Sequence, residues 1–357
     1  MGTQANVLAQ LGSDGISTGF KNRIINGAMV IDQRNAGASV TPTSNSYTLD
    51  RWQFPLSQAS KLTVQQNAGS VPPPAGFNNY LGVTSSSAYS ITSTDYFLIG
   101  YNLEGNNVAD FGWGTANAKT VTLSFWVRSS LTGTFGGSVV NYGGATLSYP
   151  FSYSIASANT WTQVSVTIPG QTSGSWPTNN SGSITIFFSL GVGATYSGTA
   201  GAWASGAYYA PTGNTSVVGT NGATFYITGV QFEVGNTATD FEYRPYGTEL
   251  VLCQRYYQVL SSGSMMAGTT NGTTQITNIG VPLSTPMRST PTVGSNDYAA
   301  WYGASDGVGA LGLTMTIASY STNAATAGGA LSGFSGLTDN RVACTRAGNA
   351  LRLSAEL

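Results

Sequence analysis

The chain has 357 residues, of which 46 are glycine, none is histidine and 8% are charged, with 13 basic against 14 acidic side chains and a net charge of −1. The lack of histidine excludes a Ser–His–Asp triad, a Cys–His dyad and imidazole metal ligands. Two cysteines, Cys253 and Cys344, cannot build a four-cysteine zinc site, and so few basic residues make neither the stripe that nucleic acid requires nor a polybasic membrane patch.

Sparse charge is not disorder here, because 41% of residues are apolar and 11% aromatic. Tyr, Trp, Val, Ile and Thr favour strands, while Gly, Asn, Ser and Pro favour turns, so the composition reads as all-β. No run approaches the ~18 apolar residues of a spanning helix. The opening MGTQANVLAQLGSDG lacks a basic start and an apolar core, so it does not read as a secretory signal. At roughly 100–200 residues per domain, the length suggests two domains.

Residues 1–21 are polar and aperiodic, and are expected to form an arm held by a partner or by the body of the protein. Residues 22–34 carry Ile25, Met29 and Ile31 in a strand-like alternation. Strands are then expected over 47–54, 61–67, 80–91 and 95–103, with a stiff proline-rich connection at 69–79. Residues 106–118 form a Gly-rich loop. Val121, Leu123, Phe125 and Val127 mark 119–130 as the clearest buried strand. Further strands follow at 132–143, 147–155, 160–169 and 223–235. The near-continuous apolar run 183–193 reads as a strand buried on both faces, and 195–216 as a long aromatic loop. About a dozen short strands between turn signals imply an antiparallel jelly-roll β-sandwich over 22–246. Residues 248–258 make one helical turn leading into a second, smaller β domain at 247–357. No repeat of fixed period is present, which argues against a β-helix or propeller.

Three constellations bear on chemistry. The carboxylates Asp95, Glu104, Asp110, Glu233, Asp240 and Glu242 would have to converge in pairs to cleave a glycan, and nothing in their spacing requires it. Asn26, Asp32, Asp240 and Glu242 lie toward the two chain ends of the sandwich and are candidate ligands for a structural Ca2+, without EF-hand spacing; no other cofactor is expected. Trp113, Trp176, Tyr196, Trp203, Tyr208 and Tyr209 sit among Gly, Ser, Asn and Thr, a mixture that suits stacking on sugar rings, a protein interface, or packing onto the sandwich edge. Cys253 and Cys344 have no C-x-x-C context, so they are either a pair or buried free thiols.

The segment NRIINGAMVIDQRNAGASVTPTSNSYTLDRW (22–52) resembles the opening of a module found in tailed-phage virion proteins, N-x-I-I-N-G-x-M-x-I-D-Q-R-N-x-G followed by Y-x-x-D-R-W. Residues 227–257 resemble its close, V-Q-x-E-x-G and then F-E-x-R-P-Y-G-x-E-L-x-L-C-Q-R-Y-Y. VPLSTPMRSTPTV (281–293) and the final AEL are similar to the domain that follows it. The resemblance implies a homotrimeric virion protein of the tail-fibre type, with a carbohydrate-binding-like jelly roll that recognises host surface glycan. It also implies an N-terminal arm docked on other tail or capsid proteins. The family shares no catalytic residues, so no enzyme is expected. A capsid or tail decoration protein is the alternative, and a tailspike depolymerase a further one.

Overall fold

The computed structural model describes residues 20–142, 146–260, 265–294, 300–302, 309–310, 314–319, 326–333, 342–346 and 351–357. The expected arm lies outside these residues, apart from its last two. Fourteen strands precede the helix among the described residues. They are β1 (Ser46–Leu49), β2 (Trp52–Phe54), β3 (Leu62–Gln66), β4 (Leu81–Ser85), β5 (Tyr96–Glu104), β6 (Val121–Ser129) and β7 (Gly133–Asn141), then β8 (Leu147–Ile155), β9 (Thr162–Ile168), β10 (Gly182–Val192), β11 (Ser197–Gly198), β12 (Ala204–Ser205), β13 (Ala210–Pro211) and β14 (Thr224–Val234). Seven form one sheet in the order β1-β2-β5-β10-β7-β8-β12, and five form another in the order β3-β4-β14-β6-β9. All pairings within these two sheets are antiparallel. The chain crosses repeatedly from sheet to sheet, as in the all-β jelly roll that the composition implied.

Strict alternation builds the core. Val121, Leu123, Phe125 and Val127 of β6 are fully buried, and Phe125 meets Phe151, Tyr153 and Phe188 of the opposite sheet. The Phe125 ring lies 5.0 Å from Phe188 and 5.2 Å from Tyr153. Each such side chain contributes on the order of 1.5–3 kcal/mol by leaving water.

Residues 22–34 depart from the expected strand. They form turns in which Asn26 and Met29 take positive φ, 60° and 58°. Buried asparagines organise this segment. Asn26 Oδ1 accepts from Ile31 N while its Nδ2 donates to Ile31 O and Asp50 O. Asn22 Oδ1 accepts from Ile24 N and Phe232 N. Strand β14 bulges between Thr228 and Gln231, and Val230 N turns instead to Gly27 O at 2.9 Å. The backbones meet so closely that a Cβ on Gly27 would fall 2.2 Å from Val230 O. Gly27→Ala is therefore expected to destabilise the protein by about 2–3 kcal/mol, read as a lowered urea midpoint. An unchanged midpoint would contradict this packing.

Helix α1 (Tyr246–Gln254) starts after Pro245, two residues earlier than the expected turn, and buries Glu249 and Cys253. Pro before the first turn and the helix formers Glu, Leu and Gln account for it. The expected domain boundary at 246/247 falls in its first turn. Beyond it lie β15 (Tyr257–Leu260), β16 (Met265–Asn271), β17 (Gln275–Pro282), β18 (Thr292–Val293), β19 (Ala300–Tyr302), β20 (Gly309–Ala310), β21 (Thr314–Ser319), β22 (Thr326–Ser332), β23 (Val342–Arg346) and β24 (Leu351–Ser354). They form a three-stranded sheet, β15-β24-β18, and a seven-stranded one, β20-β19-β23-β16-β17-β22-β21. Ile276, Ile279, Val281, Met287 and Leu353 form a separate core. Cys253 is a buried free thiol; the side chain of Cys344 lies outside the described ones.

A buried ionic seam joins the two units. Arg51, with a side chain 1% exposed, pairs with Glu356, and its guanidinium lies 3.5 Å from the Tyr256 ring centroid. Burial works against the Arg51 charge, and Glu356 together with Tyr101, Tyr256 and Tyr47 outweighs it. Arg34 takes the other Glu356 oxygen at 2.7 Å and covers the Tyr257 ring at 3.7 Å. Glu104 accepts from Arg255 and from Tyr256 Oη. Arg288 donates to Ala355 O, Glu356 O and Asn180 O. Arg, with its planar fork of donors and its stacking face, suits such buried sites.

Asp50 sits beside the seam and accepts from Gln33 N and Nε2, each at 2.7 Å. Burial pushes its carboxyl up to about 6, against the opposing pull of Arg34 and the Gln33 donors. In the unfolded chain the value is about 3.9. The folded state thus holds a proton that the unfolded state has lost between these values. Asp50 therefore favours folding fully below about pH 4, and that contribution is lost as pH rises through 6. Its carboxyl 13C resonance is expected to titrate near 6; a midpoint in the ordinary range would contradict this.

Candidate functional site

The alternation that fills the core also furnishes an outer face. In β5, Phe97, Ile99 and Tyr101 point inward, leaving Tyr96, Leu98 and Asn102 on the other side. In β10, Ile184, Ile186 and Phe188 point inward, leaving Thr185 and Phe187. These outward residues, with Gln53 and Pro55 beside β2 and Val140 to Tyr142 at the end of β7, line an open groove of about 430 Å³ across the seven-stranded sheet. Gly100 keeps its floor low, since a Cβ there would lie 3.0 Å from Gln53 and 3.3 Å from Phe187.

Both ends are walled by distant parts of the chain. At one end the 194–211 loop folds back over the sheet, with β11 and β13 paired in parallel and Tyr209 N donating to Tyr196 O at 2.8 Å. Tyr196 and Tyr209 stack at 5.0 Å and 17°, and Tyr96 meets both edge-on. Tyr209 also meets Phe187 at 5.2 Å and lines the groove. This is why Phe187, Leu98 and Val140 are buried on the outer face, as the apolar run 183–193 suggested for β10. At the other end the tail of the second unit arrives. Tyr47 Oη and Asn102 Nδ2 donate to Leu357 O at 2.7 and 3.1 Å. Asn102 Oδ1 accepts from Thr185 Oγ1 at 2.8 Å, so these two polar groups hold one another in place.

The six aromatics singled out in the sequence divide. Trp113, Trp176 and Trp203 pack on one another, with centroids 4.9, 5.4 and 5.8 Å apart. Their indole N–H groups donate to the backbone oxygens of Lys119, Ser173 and Pro169. Trp113 and Trp176 are buried and offer no ring face to solvent, so the stacking-platform expectation is corrected for both and the packing alternative holds. Trp203 is partly buried in the same cluster. The Tyr208 ring packs over Gly198 and Gly206 and does not line the groove. Tyr209 lines it, with Tyr196 stacked behind.

The calcium candidates do not converge. Asp32 accepts from Asn35 N and Gly37 N, and Glu242 from Lys21 N, Asn22 N and Arg244. The Asn26 amide is spent on the chain around it, and Asp240 O accepts from Lys21 Nζ. Among the described residues no group of three or more Cys, Asp or Glu has the geometry to hold a metal ion. The expectation of a Ca2+ site on these four is corrected: hydrogen-bond donors of the protein already take the Asn26, Asp32 and Glu242 side-chain oxygens, and no acidic cluster among the described residues brings Asp240 to them. The catalytic-carboxylate candidates are similarly occupied or scattered. Asp95 accepts from Ser57, Tyr89 and Thr92, and its carboxyl is lowered to about 2: burial would raise it, and the four hydrogen bonds prevail. Glu233 accepts from Gln231 and Thr239, and Asp110 pairs with Arg23 at the surface.

The groove residues Tyr47, Gln53, Asn102, Tyr142, Thr185 and Phe187 were not singled out as a site from sequence. The signal was there in β5 and β10, where an aromatic, an apolar and an amide residue occupy outward positions that a solvent-facing strand fills with charge. Among the described residues no helix is long and apolar enough to cross a membrane.

No family model matches the chain, and no curated protein matches it. Several solved structures are similar to part of it. The enzymatically active domain of tailspike protein 4 from bacteriophage CBA120 is 12% identical with a TM-score of 0.32, over 60% of this chain and 22% of that one. The family 61 carbohydrate-binding module TmCBM61, in complex with β-1,4-galactotriose, is 11% identical with a TM-score of 0.31, over 60% of this chain and 100% of that one. A family 11 carbohydrate-binding module from Clostridium thermocellum, in complex with a β-1,3-1,4-mixed-linked tetrasaccharide, is 13% identical with a TM-score of 0.28, over 56% and 97%. The architecture rests on the strand order itself: the chain is an all-β protein whose sandwich carries an aromatic and amide-lined groove on one sheet.

Proposed function

We propose that this chain is a virion subunit of the tail-fibre type that binds host surface glycan in the groove across its seven-stranded sheet. The observation that carries the binding role is the lining itself. Tyr47, Tyr96, Tyr142, Phe187 and Tyr209 bring aromatic rings, and Asn45, Gln53, Asn102 and Asn141 bring amides, to one open concavity. Ring faces pack on the apolar faces of sugars, and amides donate to and accept from hydroxyls. The virion role is supported by the resemblance of 22–52 and 227–257 to phage modules. The reading is non-enzymatic, in keeping with a groove lined by no carboxylate side chain. Trimerisation would supply avidity to weak single sites.

The test is a phage carrying an epitope on this chain, with purified protein added as competitor. Label on the tail and blocked adsorption are expected. Label on the capsid with adsorption unchanged would overturn the receptor role in favour of a decoration protein. Tyr243, Tyr246 and Val251 are 57%, 63% and 47% exposed, side chains open to contact with another subunit in either reading.

A further inference from the structure

We infer that the groove selects uncharged glycans and discriminates against acidic ones, a specificity that rests on the proposed binding role of the groove. No Asp, Glu, Lys or Arg side chain lines it. The cations behind its Tyr47 end are Arg34, over the Tyr47 ring, and Arg51, which donates to Asn102 O. They share the one carboxylate of Glu356, and Asp50, beside Arg34, supplies a second negative charge. Neither is left to receive a uronate, sialate or phosphate.

The remaining polar groups are amides, a threonine hydroxyl, phenols and the backbone oxygen of Leu357, which accepts from Tyr47 and Asn102 and adds no cation. Burial raises the Tyr47 and Tyr209 hydroxyls above their ordinary value, so both stay neutral; the Tyr47 proton is held by Leu357 O, and Tyr209 is the phenol of the two able to donate to a ligand. Such groups match sugar hydroxyls, which also donate and accept. A carboxylate drawn into this lining would shed water and gain no countercharge, and burying an unpaired charge is costly. The low formal charge of the whole chain adds no long-range field to offset that cost.

The experiment is calorimetry on the full chain with two sets of probes. Galactotriose, mannotriose and N-acetylchitotriose are neutral; trigalacturonate and 3′-sialyllactose are acidic. A neutral probe is expected to bind, the acidic ones about tenfold more weakly or less, and the affinity to change by less than about twofold between about 50 and 500 mM salt. Acidic probes that bind as tightly as neutral ones, or an affinity falling about tenfold with salt, would overturn the inference. Tyr209→Ala separates this failure from that of the groove itself. Acidic binding lost in Tyr209→Ala overturns the specificity and keeps the groove. Neutral binding retained in Tyr209→Ala overturns the groove. A panel in which no probe binds overturns both.

Discussion

Glu356→Ala is expected to cost about 3–5 kcal/mol of stability, the largest loss of any single surface-distant substitution in the seam. Glu356 is the shared partner of Arg34 and Arg51, and the Arg51 side chain is 1% exposed. Removing the carboxylate leaves a guanidinium among Tyr101 and Tyr256 with its charge uncompensated. Much of the cost is therefore the orphaned charge rather than the worth of the pair. Two companion variants separate these terms. Glu356→Gln keeps hydrogen-bond acceptance and is expected to lose less. The double variant Arg51→Met with Glu356→Leu removes the Arg51 charge together with its partner and is expected to recover the part of the loss that Arg51 causes, while Arg34, with a side chain 12% exposed, stays without Glu356. Urea unfolding reads all three. A loss under about 1 kcal/mol for Glu356→Ala would mean that the seam is solvated and does not lock the units.

Tyr209→Ala is expected to weaken glycan binding about tenfold or more, which is about 1.4 kcal/mol. Tyr209 alone among the six sequence-selected aromatics lines the groove, where it meets Phe187 and stacks on Tyr196. Its removal lowers one wall and takes away a ring face. Tyr208→Phe is the control: that ring packs on Gly198 and Gly206 outside the lining, so binding should be unchanged. Calorimetry with a neutral trisaccharide reads the affinity, and a thermal melt shows that the fold survives. Equal loss in both variants would assign the effect to the loop as a whole and not to the groove.

The sandwich was legible where apolar and polar side chains alternate along a strand. Val121 to Val127 alternate without exception, and β6 lies where that pattern put it. Residues 22–34 misled because Ile25, Met29 and Ile31 are buried for another reason. The side chains of Asn22 and Asn26 hold the turns and close the β14 bulge, and side-chain bonds to backbone leave no periodicity. The motif residues at the two ends of the sandwich and in the tail have a shared explanation that the linear sequence hides. Asn26, Asp50, Arg51, Glu249, Arg255 and Glu356 come together around the junction between the units, and Arg51 and Glu356, which bond directly, are 305 positions apart. The groove was hidden for the same reason, since its walls come from β1, β2, β5, β7, β10, the 194–211 loop and the tail. The Trp113, Trp176 and Trp203 loops drew attention through composition, yet each indole satisfies its own N–H on a nearby carbonyl and packs inward.

The most direct test of the groove as the binding site is backbone amide shift mapping on titration with a neutral trisaccharide that binds in calorimetry. The perturbed amides are expected to cluster at 45–55, 96–102, 140–142, 185–187 and 209, the stretches that meet on the outer face of the seven-stranded sheet. Perturbations confined to the Trp113, Trp176 and Trp203 cluster, or to the second unit away from Leu357, would contradict it.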